Sequence, residues 1–192
     1  MNAKGTAILV NPHPRGHIVY PYTDESLVGQ AVALFASAGL RDGEGVVLIM
    51  SADHCEAIKL RLQLEGISAD SYEHSGQLIC VIAEELLASF MPDGAIDEEA
   101  FKSTIGNLIE KAKACVTNGH PGKVRVFGEM VSQLRGKDLP STTRLEELWN
   151  EIIDDHSVSL LCTYALSGGD DRVPEALMDL HSHSIERDVI PK

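Results

Sequence analysis

Short unbroken aliphatic runs recur along this chain, and the stretches between them place apolar residues at helical spacing. The runs are His17 to Tyr20, Val46 to Met50, Leu78 to Ile82, Val124 to Phe127 and Val158 to Leu166. Continuous rather than alternating hydrophobicity marks strands covered on both faces, as in a parallel sheet. Between the first two runs, Leu27, Val28, Ala31, Leu34, Phe35 and Ala38 share one helical face. A Thr23-Asp24 cap opens that helix and Gly39 ends it. Phe101, Ile105, Leu108, Ala112 and Cys115 make a later stripe stopped by Asn118-Gly119, and Leu145, Leu148, Trp149 and Ile152 another. A short helix runs through Leu86, Leu87 and Phe90, and a last one through Leu177 to His181. The pattern predicts an α/β domain: a mostly parallel sheet of five or more strands with helices on both faces. Three local readings complete it. Thr6 to Val10 reads as a further short strand, Asp53 with Glu56 as a capping box for a helix stopped by Gly66, and Thr143 with Glu146 as another box.

A chain of 192 residues accommodates one core, so residues 1–192 are expected to form a single domain. Sixteen basic against 29 acidic residues give a net charge of −13. That excess of carboxylates repels phosphate backbones and anionic lipid, so neither nucleic acid nor membrane is expected as a partner. The absence of an apolar stretch long enough to span a bilayer or serve as a signal sequence predicts a cytoplasmic chain. Cys55, Cys80, Cys115 and Cys162 share no C-x-x-C spacing and lie in apolar stretches, as buried free thiols do in a reducing compartment.

Ligands of such sheets bind beyond the carboxyl ends of the strands. The first strand-to-helix turn is where a nucleotide-binding sheet carries a Gly-rich loop ending in Lys. Here it reads Tyr20-Pro21-Tyr22-Thr23-Asp24-Glu25-Ser26, with neither Gly nor Lys and with two acids that repel a triphosphate. Glu129 follows the fourth run, near where ATPases keep a metal-binding acid, and Asp53 follows the second. Together they offer a pair of carboxylates. His13, His17, His181 and His183 have no metal-ligand spacing, so no metal and no cofactor is expected. No G-x-S-x-G elbow is present, and Ser167-Gly168-Gly169 lacks the glycine before its serine.

Residues Gly16 to Glu186 resemble the MEDS domain, the sensory module of methanogen and methylotroph regulators. The likeness rests on His17-Ile18-Val19-Tyr20, the turn from Gly39-Leu40 to Gly43-Glu44, and Val126-Phe127-Gly128-Glu129-Met130. It is strongest in Arg144-Leu145-Glu146-Glu147-Leu148-Trp149-Asn150, Ser159 to Tyr164 and His181-Ser182. The resemblance implies a RecA-like or circadian-clock-type ATPase core without a Walker A loop, used for sensing hydrocarbon-type or other small molecules. Such domains commonly stand beside kinase, PAS or DNA-binding modules. The few residues after the last helix resemble no such module, so the expectation is either that the chain is an excised fragment or that a signal leaves through a partner chain such as a histidine kinase or transcription regulator, with a homodimer as one arrangement.

The reading is therefore a non-catalytic sensory domain with His17, Tyr20, Tyr22, Asp53 and Glu129 as ligand-binding candidates. Arg144 and Glu147, three residues apart on one helix face, are expected to pair and hold the Trp149 helix near the site. The alternatives are a divalent-metal-dependent ATPase or hydrolase using Asp53 and Glu129, and a docking module without a ligand. One expectation is directly countable: thiol titration in denaturant, without reductant and under anaerobic handling, should find all four thiols. A smaller count would indicate a redox role.

Overall fold

A computed structural model describes residues 2–116, 122–134, 139–166 and 172–186. The element order is α1 (Ala3–Val10), β1 (His17–Tyr22), α2 (Glu25–Arg41), β2 (Gly45–Met50), α3 (Ala52–Leu64), α4 (Ala69–Ser75), β3 (Leu78–Ile82), α5 (Ala83–Phe90), α6 (Glu98–Ala114), β4 (Val124–Gly128), α7 (Met130–Leu134), α8 (Leu139–His156), β5 (Ser159–Ala165), α9 (Glu175–Met178) and β6 (His183–Ser184). The six strands lie in the order β3-β2-β4-β5-β1-β6, every neighbouring pair parallel. This is the α/β sheet that the repeated aliphatic runs predict.

Both faces of the sheet are covered, and alternate residues of each strand feed different cores. Ile18, Tyr20 and Tyr22 of β1 pack with Leu48, Met50 and Leu161 under α2 and α3. Val19, Val47, Val126, Leu160 and Cys162 pack under α5, α6 and α8. In the second core Trp149 meets Phe101 edge-on at 5.3 Å, and Phe101 meets Phe90 at 5.2 Å. Helices that follow β1 and β2 thus cover one face, and those that follow β3 and β4 cover the other.

Three local expectations are corrected. Thr6 to Val10 is helical: Asn2 caps α1 by accepting from the Gly5 N–H at 2.8 Å, and the carbonyls that end the helix dock on Arg125. Ser51, not Asp53, caps α3, because β2 ends at Met50 and Ser51 already holds the extended conformation a cap needs. Its hydroxyl accepts from the His54 N–H at 3.3 Å. α8 is already helical from Leu139, so Thr143 lies inside it, its hydroxyl donating to the Leu139 carbonyl at 3.0 Å. The stop at Asn118-Gly119 and the Ser167 loop lie outside the described residues. Cys55 and Cys162 are buried, Cys80 and Cys115 only partly so, and all four are free.

Arg125 on β4 is the largest buried charge of the α2 face, only 2% exposed. Its Nε pairs with Glu44, its Nη1 donates to the carbonyls of Leu9 (2.9 Å) and Phe35 (3.2 Å), and its Nη2 to that of Val10 (3.1 Å). One guanidinium therefore joins β4, the end of α1 and the flank of α2. Gly39 makes room for it, since a Cβ there would stand 2.8 Å from Arg125 Cδ and Nε. Replacing Arg125 by Ala leaves the Glu44 carboxylate and three carbonyls short of partners. Chemical denaturation should register a loss of about 3–5 kcal/mol; a loss within the range of surface substitutions would contradict the anchoring role.

Candidate functional site

β2, β4, β5 and β1 lie side by side in that order, and their carboxyl ends open into a cavity of about 250 Å³. α2 and α3 wall it from above. Val28 and Val32 of α2, Ile58 and Ala57 of α3, and Met50 and Phe127 from the sheet give it a mainly apolar lining. α2 comes close to α3 at Gly29, where a Cβ would stand 3.1 Å from Nε of the Arg61 side chain.

Polar groups converge on one side of the cavity. The Glu129 N–H donates to the Ile49 carbonyl at 3.0 Å, which fixes the residue where β4 ends beside β2. Its carboxylate accepts from the Ser51 N–H at 3.1 Å and from His54 Nδ1 at 2.9–3.0 Å. His54 Nε2 lies 3.3 Å from Glu25, and the Tyr22 hydroxyl donates to the other Glu25 oxygen at 3.3 Å. Tyr22, Glu25, His54 and Glu129 thus form one chain of hydrogen bonds from β1 to β4. Burial alone lowers the His54 pKa, but the Glu129 hydrogen bond and the charges of Glu129, Glu25 and Asp53 outweigh it, and the net shift is upward. Burial first, then the neighbouring Glu25 and Glu129 charges, keeps the Tyr22 hydroxyl protonated well beyond its ordinary range.

The sequence candidates divide among several places. Tyr22 and Glu129 line the cavity. Tyr20 is buried in the core beneath, its pKa raised by burial and by Asp24, and does not line it. Asp53 is exposed on the first turn of α3; its neighbour His54, not Asp53, reaches Glu129, so the expected pair of acids is an acid and an imidazole. Arg144 and Glu147 do pair, at 2.8 Å, but Arg144 also grips Glu98 with two bonds of 2.6–2.7 Å, on the α6–α8 side of the sheet and away from the cavity. His17 points to that same side, into a buried polar cluster with Glu146, Cys162 and His181.

His54 and Glu25 escaped the sequence reading because a helix-start histidine and a first-turn acid are ordinary at those positions. Glu146 carried a legible signal. It lies three residues before Trp149, on the apolar side of its helix, where a carboxylate requires a partner.

The family model of the MEDS domain, the methanogen/methylotroph, DcmR sensory domain, matches residues 16–182. The chain belongs to the MEDS family. None of the curated protein sequences matches it. Among solved structures, the MEDS chain resembles a KaiC-like protein of the hyperthermophilic archaeon Pyrococcus horikoshii, with a TM-score of 0.60 and 13% identity over 93% of this chain and 75% of that one. At that identity the likeness establishes the fold, a RecA-like one. In the MEDS chain β1 passes into α2 through Thr23 and Asp24 alone, so no phosphate-cradling loop stands at the mouth of the cavity. No described helix is long and apolar enough to cross a membrane.

The raised His54 pKa has a definite sign. The charged pair with Glu129 is complete below the ordinary histidine value of 6.5 and is lost as pH rises through the higher folded value. An NMR titration should find His54 above 6.5 in the wild type and lower in Glu129→Gln. An unchanged midpoint in the variant would show that Glu129 does not hold the proton there.

Proposed function

We propose that this sensory domain binds a small organic molecule in the cavity at the strand ends, without catalysing its conversion, and relays occupancy through contact with another chain. The observation that carries this reading is the cavity itself: mainly apolar walls, one polar side, and a position at the carboxyl ends of a parallel sheet. Its volume suits a ligand of up to roughly ten heavy atoms, largely apolar, with one group able to exchange hydrogen bonds with Tyr22, His54 or Glu129. Membership of a sensory family supports a signal-binding role, with a hydrocarbon-type or other small compound as the proposed signal. Relay follows from the walls. α2 and α3 each contribute to the polar chain, so a ligand that inserts between Glu25 and His54 changes the spacing of two surface helices. A signalling protein such as a histidine kinase or transcription regulator, or a second copy of the chain, is the proposed receiver of that change.

The ATPase alternative meets an electrostatic obstacle. A triphosphate is held by backbone N–H groups, a lysine and a divalent ion. Here the turn after β1 is two residues long, the following helix begins with Glu25, and Asp24 is already committed to capping it by accepting from the Ser26 N–H at 2.8 Å. Glu129 is likewise engaged by Ser51 and His54.

Thermal-shift screening of short-chain alcohols, aldehydes, carboxylates and amines should find a class that raises the melting temperature by a few degrees at saturating concentration. The shift should vanish in Ala57→Trp, which fills the cavity from an exposed position of α3. Calorimetry with ATP and Mg²⁺ should show no binding. Micromolar ATP affinity, with phosphate release abolished by Glu129→Gln, would overturn the sensor reading in favour of the enzyme.

A further inference from the structure

The buried cluster on the other face of the sheet has the composition and shape of a metal site. His17 stands at the start of β1, Cys162 on the neighbouring β5, Glu146 on α8 above them, and His181 on the segment that joins α9 to β6. Ser182 fixes that segment: its N–H and hydroxyl both donate to the His17 carbonyl, at 2.9 and 3.1 Å, and its hydroxyl accepts from the His17 N–H at 2.9 Å. The side chains of His17, Glu146 and His181 are 2%, 0% and 1% exposed, and Cys162 is fully buried.

Hydrogen bonds at the back of each imidazole decide which nitrogen faces inward. Asn150 spends its amide N–H on the Leu180 carbonyl at 3.1 Å, so its oxygen is the atom 2.9 Å from His17 Nδ1. The Leu177 carbonyl lies 2.8 Å from His181 Nδ1. Each Nδ1 therefore carries a hydrogen, and each Nε2 turns toward the cluster. Two imidazoles held this way, by an amide oxygen and a backbone carbonyl, have the support that metal-ligating histidines require. His181 Nε2 is buried and has no hydrogen-bond partner, although Glu146 Oε1 is 3.3 Å away.

The spacing agrees. A tetrahedral ion with bonds of roughly 2.0–2.1 Å to nitrogen and about 2.3 Å to sulfur separates its ligand atoms by roughly 3.3–3.6 Å. His17 Nε2 lies 3.3 Å from Glu146 Oε2 and 3.4 Å from Cys162 Sγ, which is 3.8 Å from the same carboxylate oxygen. All four ligand atoms lie within 4.8 Å of one another. Tyr164 donates its hydroxyl to Glu146 Oε1, which orients the carboxylate and leaves Oε2 turned to His17 and Cys162, with His181 Nε2 beside Oε1. Two neutral imidazoles, one thiolate and one carboxylate balance a divalent cation, so the filled site carries no net buried charge.

We propose that His17, Glu146, Cys162 and His181 bind one zinc-class divalent cation that clamps the C-terminal segment onto β1 and β5. Binding releases the thiol proton to solvent and forms a metal–sulfur bond, with no change of oxidation state. Because four protein ligands close the coordination sphere, the site is structural. The expectation of no metal rested on sequence spacing alone; the fold supplies the cysteine and carboxylate that the histidine spacing lacks.

The test uses the whole chain, stripped with chelator and titrated with Co²⁺. One equivalent should bind and produce the thiolate-to-cobalt charge-transfer band with the intense visible bands of tetrahedral coordination, and Zn²⁺ should displace it. Cys162→Ser should abolish the charge-transfer band while Cys55→Ser keeps it. Asn150→Ala, which removes the support of His17 and the bond to the Leu180 carbonyl beside His181 but no ligand atom, should weaken cobalt binding about 10–100-fold with the band retained, and this variant decides the matter should Cys162→Ser fail to fold. A folded wild-type chain that takes up no stoichiometric Co²⁺ or Zn²⁺, a band unaffected by Cys162→Ser, or an affinity unaffected by Asn150→Ala would overturn the proposal. The site lies across the sheet from the cavity, so each of these results leaves the sensory reading to its own tests.

Discussion

The two-residue passage from Tyr22 to Glu25 governs the functional end of this molecule. With only Thr23 and Asp24 between strand and helix, α2 starts directly over the sheet and its first turn closes on α3 across the strand ends. A longer loop would fill this space with backbone. The short one leaves it as a cavity, bounded below by Met50 and Phe127 and on its polar side by Tyr22, Glu25, His54 and Glu129. The same passage removes the N–H cradle on which a RecA-like fold depends for phosphate. On the proposed reading, one local economy of chain disfavours a nucleotide and leaves room for a smaller, less polar ligand.

The two faces of the sheet divide the remaining work. On the α2 face, Arg125 holds α1, α2 and Glu44 to β4, which keeps the cavity wall in place at the opposite end of α2 from the cavity. On the α8 face, the His17–Glu146–Cys162–His181 cluster ties the last segment to β1 and β5. Both anchors are buried polar constellations whose groups lose more by being separated than they gain by being together. They specify where α1, α2 and the segment after α9 sit, and on the proposed reading leave α3, with its exposed outer face and its His54, as the element whose position a ligand biases.

Continuous aliphatic runs made the strands legible: β3 matches its expected limits, and β2 begins only one residue earlier. β1 extends two residues further, to Tyr22, because Pro21 sits where no sheet N–H is needed from it. α4 was not legible, since its sequence from Ala69 to Ser75 has no apolar stripe and the helix depends on the Ser68 cap. The reversal at Thr6 to Val10 is a tertiary effect, as the end of α1 is completed by an arginine more than a hundred residues away. Of the site, Tyr22 and Glu129 were legible from their places at strand ends. His54 was not, because only the adjacency of β2 and β4 brings it to Glu129. The assembly of His17 with His181 depended on β6 pairing with β1, which two residues, His183 and Ser184, could not announce.

The central claim is that the cavity at the strand ends, and not a phosphate site, is where this sensory domain meets its signal. Mass spectrometry of small molecules released from the protein purified under native conditions tests it most directly, with the wild type and Ala57→Trp prepared side by side. The account predicts a small, mainly apolar compound in the wild-type sample that is absent from the variant. Recovery of the same compound from both proteins, or of a nucleotide from the wild type, would contradict it.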